Sequence, residues 1–130
     1  MPKTGMLFGV FDHLHPGHEY FLREAAGQCQ KLIVVVTHDT LVRELKDHSP
    51  KQSARERMRG VKESMPEAKV VMGDKHLGSW EILKKYKPDI VFLGYDQENI
   101  VSELKKMKIQ YEFINAHHPK KFKSSLLNKK

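Results

Sequence analysis

The stretch Gly9-Val10-Phe11-Asp12-His13-Leu14-His15-Pro16-Gly17-His18 lies between an apolar run and an amphipathic one. Residues 6–11 are short and apolar, as a buried strand requires. Pro16 suits the first position of a helix, because its ring fixes φ and its missing N–H would have no partner there. The helix expected over residues 17–28 carries Tyr20, Phe21, Leu22 and Ala25 as its apolar positions. The N–H groups of its first turn lack intrahelical partners and are expected to be free for an anion, and Gly17 lets a ligand approach the backbone. His15 and His18, three residues apart, fall just before the helix and in its first turn, facing the space above the strand end. A strand-to-helix turn of this composition is where an α/β protein handles phosphate.

Outward from this turn the pattern alternates. Residues 31–37, 68–72, 90–93 and 110–114 read as further strands, and residues 39–46, 54–65, 79–87 and 98–107 as helices between them. Five strands with intervening helices imply an α/β fold, a Rossmann-like three-layer sandwich with a five-stranded parallel sheet and right-handed crossovers. The 130 residues, 39% hydrophobic and 30% charged, are expected to form a single domain spanning residues 1–130. No apolar stretch approaches the roughly 20 residues needed to span a bilayer, and the N-terminus does not read as a signal peptide, so a cytoplasmic protein without a membrane partner is expected. Cys29 is the one cysteine, which excludes an intrachain disulfide, and a helical position among Ala25, Ala26 and Leu32 reads as packing.

The net charge of +7 attracts anions without choosing among nucleotides, nucleic acid and acidic membranes. No recognised nucleic-acid-binding motif accompanies it, so nucleic acid is not the expected partner. G-x-G-x-x-G and G-x-x-x-x-G-K-[ST] are both absent, which disfavours ordinary dinucleotide binding and a P-loop. His13, His15 and His18 lack a further ligand at zinc-like spacing, so no fixed protein-only metal site is expected.

In a parallel sheet of this kind, ligands bind beyond the carboxyl ends of the strands. After the second strand stands Asp39, able to accept from a ribose hydroxyl or to cap a helix. Lys46 and Lys51 bracket a polar loop, and the following helix carries Arg55, Arg57 and Arg59. After the fourth strand, Gly94 suits a close backbone approach and Asp96 can begin a helix. After the fifth, Lys123, Ser124 and Ser125 would offer charge, hydroxyl and N–H donors to phosphate at the start of a short final helix.

The first motif resembles the HxGH signature of the nucleotidyltransferase superfamily in its cytidylyltransferase-like form, G-(T/V)-F-D-x-x-H-x-G-H. Gly9, Val10, Phe11, Asp12, His15, Gly17 and His18 fill every fixed position. The resemblance implies transfer of a nucleotidyl group from a nucleoside triphosphate to a phosphate acceptor, with pyrophosphate released and no covalent enzyme intermediate. His15 and His18 would then stabilise charge on the α-phosphate. Asp12 would orient the triphosphate, its magnesium ion or the acceptor, and Lys46 and Arg57 would contact the outer phosphates. Mg2+ would arrive with the triphosphate, and a homodimer is implied.

Leu93-Gly94-Tyr95-Asp96-Gln97 is similar to the L-G-x-D-Q element of archaeal-type FAD synthetases, which implies ATP and FMN as substrates. Glycerol-3-phosphate cytidylyltransferases share the glycine and aspartate, so CTP with glycerol 3-phosphate is the alternative. Ser124 and Ser125 are similar to the serine-threonine element that closes the family pattern. Two features depart from it: lysines stand where cytidylyltransferases carry an arginine, and the terminal cysteines of many archaeal FAD synthetases are missing. A non-catalytic nucleotide- or nucleic-acid-binding module is the alternative from another class, and intact Asp12, His15 and His18 argue against it.

Overall fold

The computed structural model describes residues 2–46, 48–75, 79–94 and 97–114. Strands β1 (Thr4–Gly9), β2 (Lys31–Val36), β3 (Lys69–Met72), β4 (Ile90–Leu93) and β5 (Gln110–Phe113) pair in parallel, in the order β3-β2-β1-β4-β5. Helices α1 (Pro16–Ala26), α2 (Asp39–Lys46), α3 (Ala54–Ser64), α4 (Glu81–Tyr86) and α5 (Val101–Lys106) connect them, α5 being preceded by a 3₁₀ turn over Glu98–Ile100.

Strand side chains alternate between faces, so the central strands must be apolar at every position to be covered on both. Leu7, Val34, Val36 and Phe92 join Phe21, Leu22 and Ala25 of α1 and Val61 of α3 in one core. Met6, Ile33, Val35, Val91 and Leu93 join Leu83 of α4 and Leu104 of α5 in the other. The molecule is therefore the expected three-layer α/β/α sandwich. At about 1.5–3 kcal/mol per buried aliphatic side chain, the unbroken buried run Leu32 to Val36 makes β2, beside the central strand, a major contributor to the core. Gly5 makes this packing possible, since a Cβ there would stand 2.7 Å from the Phe92 ring and 2.8 Å from the Cys29 sulfur.

Several boundaries differ from those expected, each for a local reason. β1 stops at Gly9 instead of residue 11, because Phe11 takes a left-handed φ of 56° that no strand continues through. Trp80 (φ 54°) and Lys87 (φ 45°) are left-handed and confine α4 to Glu81–Tyr86. The helix expected over residues 98–107 divides into the 3₁₀ turn and α5. Cys29 is buried, with its thiol against the Ala25 carbonyl, but it lies beyond the end of α1. The final short helix expected around Ser124 falls outside the described residues. Among the described residues no helix is long and apolar enough to cross a membrane.

The strand order runs outward in both directions from β1 and β4. The connections after these two strands therefore leave in opposite directions and open a crevice at their carboxyl ends, the switch point where open α/β sheets bind ligands.

Candidate active site

His15 and His18 stand at this switch point, at the start of α1. His15 is the N-cap of α1, with extended backbone (φ −135°, ψ 174°). Its Nδ1 accepts from the amides of Gly17 (3.1 Å) and His18 (3.4 Å), while His18 Nδ1 accepts from the His15 amide (3.3 Å). This is a capping box built from two imidazoles. The rings stack, with centroids 3.7 Å apart and planes 20° from parallel. An Nδ1 that accepts leaves the ring proton on Nε2, so both residues present an Nε2–H donor away from the helix. Burial, and then the neighbouring His15, bring the His18 pKa down from 6.5 to about 4, so that ring is neutral at pH 7.

The same bonds correct the expectation that the first-turn amides await an anion. Pro16 has no N–H, Gly17 and His18 donate to His15 Nδ1, and Glu19 donates to the His15 carbonyl at 3.0 Å. The amides of the first helical turn are thus engaged by His15 itself.

Asp12 lies one turn upstream and reaches across to the α2–α3 connection. Its carboxylate accepts from the amides of Lys51 (2.8 Å) and Gln52 (2.9 Å). Burial alone would raise its pKa, but those two amides, with the fields of His13 and Arg57, hold it below the ordinary carboxylate value.

Arg57, 1% exposed, is the buried charge of the described residues. Its Nη1 donates to the carbonyls of Val10 and Thr37 (2.9 Å each), its Nε to that of Gln52 (3.1 Å), and its Nη2 pairs with the Asp39 carboxylate. These bonds engage the Nε–H, both Nη1–H groups and one Nη2–H of the guanidinium, joining the ends of β1 and β2 to the start of α3. Asp39 correspondingly faces Arg57. Asp39 also stands in the first turn of α2, and the Thr40 amide of that turn donates to His38 Nδ1 at 3.1 Å.

Gly9 is glycine because the Phe11 ring lies over it, and a Cβ would stand 2.6 Å from that ring. Phe11 in turn meets the His18 ring edge-on, with centroids 5.4 Å apart. Gln97 spans the switch point: its Oε1 accepts from Gly94 N and its Nε2 donates to the Phe8 carbonyl, both at 2.9 Å. It thereby ties the end of β4 to the end of β1.

Lys46 ends α2, and its side chain, with Asp96, Lys123, Ser124 and Ser125, lies outside the described residues. Among the described residues no group of three or more His, Cys, Asp or Glu side chains is placed to hold a metal ion. The residue that sequence reasoning missed is Gln52, for which no local pattern speaks.

A cytidylyltransferase-like family profile matches residues 6–130. The chain is 41% identical over 122 residues to an FAD synthase of Thermococcus sibiricus, an alignment covering 91% of this chain and 81% of that one. It is 38% identical over 127 residues to an FAD synthase of Aciduliprofundum boonei, covering 95% and 82%. Among solved structures, a lipopolysaccharide core biosynthesis protein from Thermoplasma volcanium superimposes with a TM-score of 0.74 at 28% identity, covering 88% of this chain and 96% of that one.

Proposed function

The chain belongs to the cytidylyltransferase-like family, and from that premise we propose that this nucleotidyltransferase adenylylates FMN, forming FAD from ATP and releasing pyrophosphate. Kinship with two archaeal FAD synthases across most of their length supports the choice of substrates. The observation that carries the chemistry is the stacked His15–His18 pair with both Nδ1 atoms occupied by backbone donors.

In the reaction, a phosphate oxygen of FMN forms a bond to the α-phosphorus of ATP in line with the departing β-phosphate oxygen, and that second bond breaks. The nucleophile is already an anion, so no protein group must take a proton from it. What rises along the path is negative charge on the α-phosphoryl oxygens and on the leaving pyrophosphate. Two preorganised Nε2–H donors answer that charge without reorientation, because stacking and capping already hold both rings. Magnesium enters as part of the ATP complex, and the basic chain supplies the long-range attraction for both anionic substrates.

The same reading takes residues 1–130 as one nucleotidyltransferase domain, a cytoplasmic homodimer with neither membrane nor nucleic acid as partner. Sedimentation as a monomer would remove the dimer from it. The deciding assay is pyrophosphate release with magnesium, comparing ATP plus FMN with CTP plus glycerol 3-phosphate and with each triphosphate alone. Release that requires ATP and FMN, with FAD in the product, is expected. Release confined to the CTP arm overturns the substrate assignment.

A further inference from the structure

We propose that Gln52 is a positioning residue that clasps the histidine-bearing turn, an inference that rests on the adenylyltransferase reading for its effect on turnover. Three bonds converge on this one residue. Its side-chain Oε1 accepts from the His13 amide at 2.8 Å. Its own amide donates to Asp12 at 2.9 Å, and its carbonyl accepts from Arg57 Nε at 3.1 Å.

The turn that it grips needs gripping. Between β1 and α1, Phe11 (φ 56°) and His13 (φ 54°) are both left-handed without being glycine. Such residues cost of order 1–3 kcal/mol each and persist only where surrounding contacts over-determine them. Phe11 is held by burial of its ring over Gly9. His13 is exposed and gains nothing from burial, so the bond from its amide to Gln52 is what holds its backbone. Two residues further on is His15, whose backbone amide closes the capping box on His18 Nδ1. Release of His13 would let the extended cap residue rotate and carry both Nε2–H donors off the line of the reacting phosphate.

The bond that the Gln52 amide donates to Asp12 and the bond that its carbonyl accepts from Arg57 do not involve the Gln52 side chain. The acceptor of the His13 amide is that side chain's Oε1, and this separates the clasp from general folding of the loop. Gln52→Met keeps the length of the side chain and removes the acceptor, whereas Gln52→Glu keeps an oxygen at the same reach.

The test combines steady-state kinetics with ATP and FMN and amide exchange at His13 followed by NMR. For Gln52→Met, kcat is expected to fall roughly tenfold to a hundredfold with little change in the KM for ATP, since a donor displaced by about an ångström costs on that scale. The His13 amide should exchange faster while α3 amides keep their protection. Gln52→Glu should restore slow exchange and bring kcat back to within about threefold of wild type, because a carboxylate is the stronger acceptor. Wild-type kcat or wild-type His13 exchange in Gln52→Met overturns the proposal, as does a Gln52→Glu variant as impaired as Gln52→Met. If the unaltered chain shows no turnover with ATP and FMN, the functional reading has failed, and His13 exchange alone decides whether the clasp exists.

Discussion

The main-chain amides of His15 and His18 are each bonded to the other residue's Nδ1, at 3.3 and 3.4 Å, and the two rings stack at 3.7 Å. One pair of side chains therefore terminates a helix and aims two donors. The capping bonds fall on Nδ1 and the proposed chemistry on Nε2 of the same ring, which makes the two separable by substitution.

His15→Asn should separate them. An amide oxygen can still cap α1, so the urea midpoint should stay close to wild type, whereas His15→Ala should lose about 1 kcal/mol of stability. Both should lose turnover, because neither retains an Nε2–H. His18→Ala should remain folded with kcat reduced about 100- to 1,000-fold, the usual scale for one donor to developing oxyanion charge. A folded His18→Ala enzyme with wild-type kcat would remove the pair from the chemistry.

Acid should weaken the fold through His18. Its folded pKa of about 4 lies below the ordinary histidine value of 6.5, so between these values the unfolded chain binds the extra proton. The contribution is complete above pH 6.5 and is lost as pH falls toward 4. The proton would have to enter at Nδ1, which ends its bond with the His15 amide. Asp12, with its pKa lowered chiefly by backbone amides against the opposing effect of burial, also loses stabilisation on acidification. Urea melts of wild type and His18→Ala at pH 7.5, 5.5 and 4.5 check this: the variant should show the shallower decline, and parallel declines would contradict it.

Arg57 should behave as a structural hub. Arg57→Met leaves three carbonyls and the Asp39 carboxylate without their donor, which should cost about 3 kcal/mol or more in a chemical melt. Arg57→Lys should recover little of it, since one ammonium cannot reach acceptors on three chain segments. Unchanged stability with only a raised KM for ATP would instead make phosphate contact the role of Arg57.

Two glycines should respond in opposite senses. Gly9→Ala drives a methyl into the Phe11 ring, so stability should fall by about 1–3 kcal/mol, and kcat should fall with it because Phe11 abuts His18. A Cβ at Gly60, inside α3, meets nothing within 4 Å, so Gly60→Ala should stabilise by up to about 1 kcal/mol and leave kcat unchanged. Thermal melts and steady-state assays of the two variants decide.

Much of the fold was legible because it is written in local terms. The run from Leu32 to Val36 can only be a strand covered on both faces, and Pro16 could only open a helix. The helix expected over residues 54–65 begins at Ala54 as read, and the structure shows Ser53 and Glu56 closing a capping box at its start. The left-handed residues Trp80 and Lys87 were not legible, because neither type prefers that region and the surrounding chain imposes it.

The candidate site divides along the same line. Residue type and spacing within ten positions were enough to place His15 and His18 at a strand-to-helix turn, since a strand end, a proline and a helix start are local stereochemistry. What those side chains touch was decided only in three dimensions. Asp12 bonds amides 39 and 40 residues away, Arg57 bonds a carbonyl 47 residues away, and Gln97 one 89 residues away. Whether a basic side chain meets solvent and phosphate or is buried among carbonyls depends on which segments the sheet order brings beside it. The strength of a charge depends on that burial and on those partners, and no pattern along the chain encodes either one.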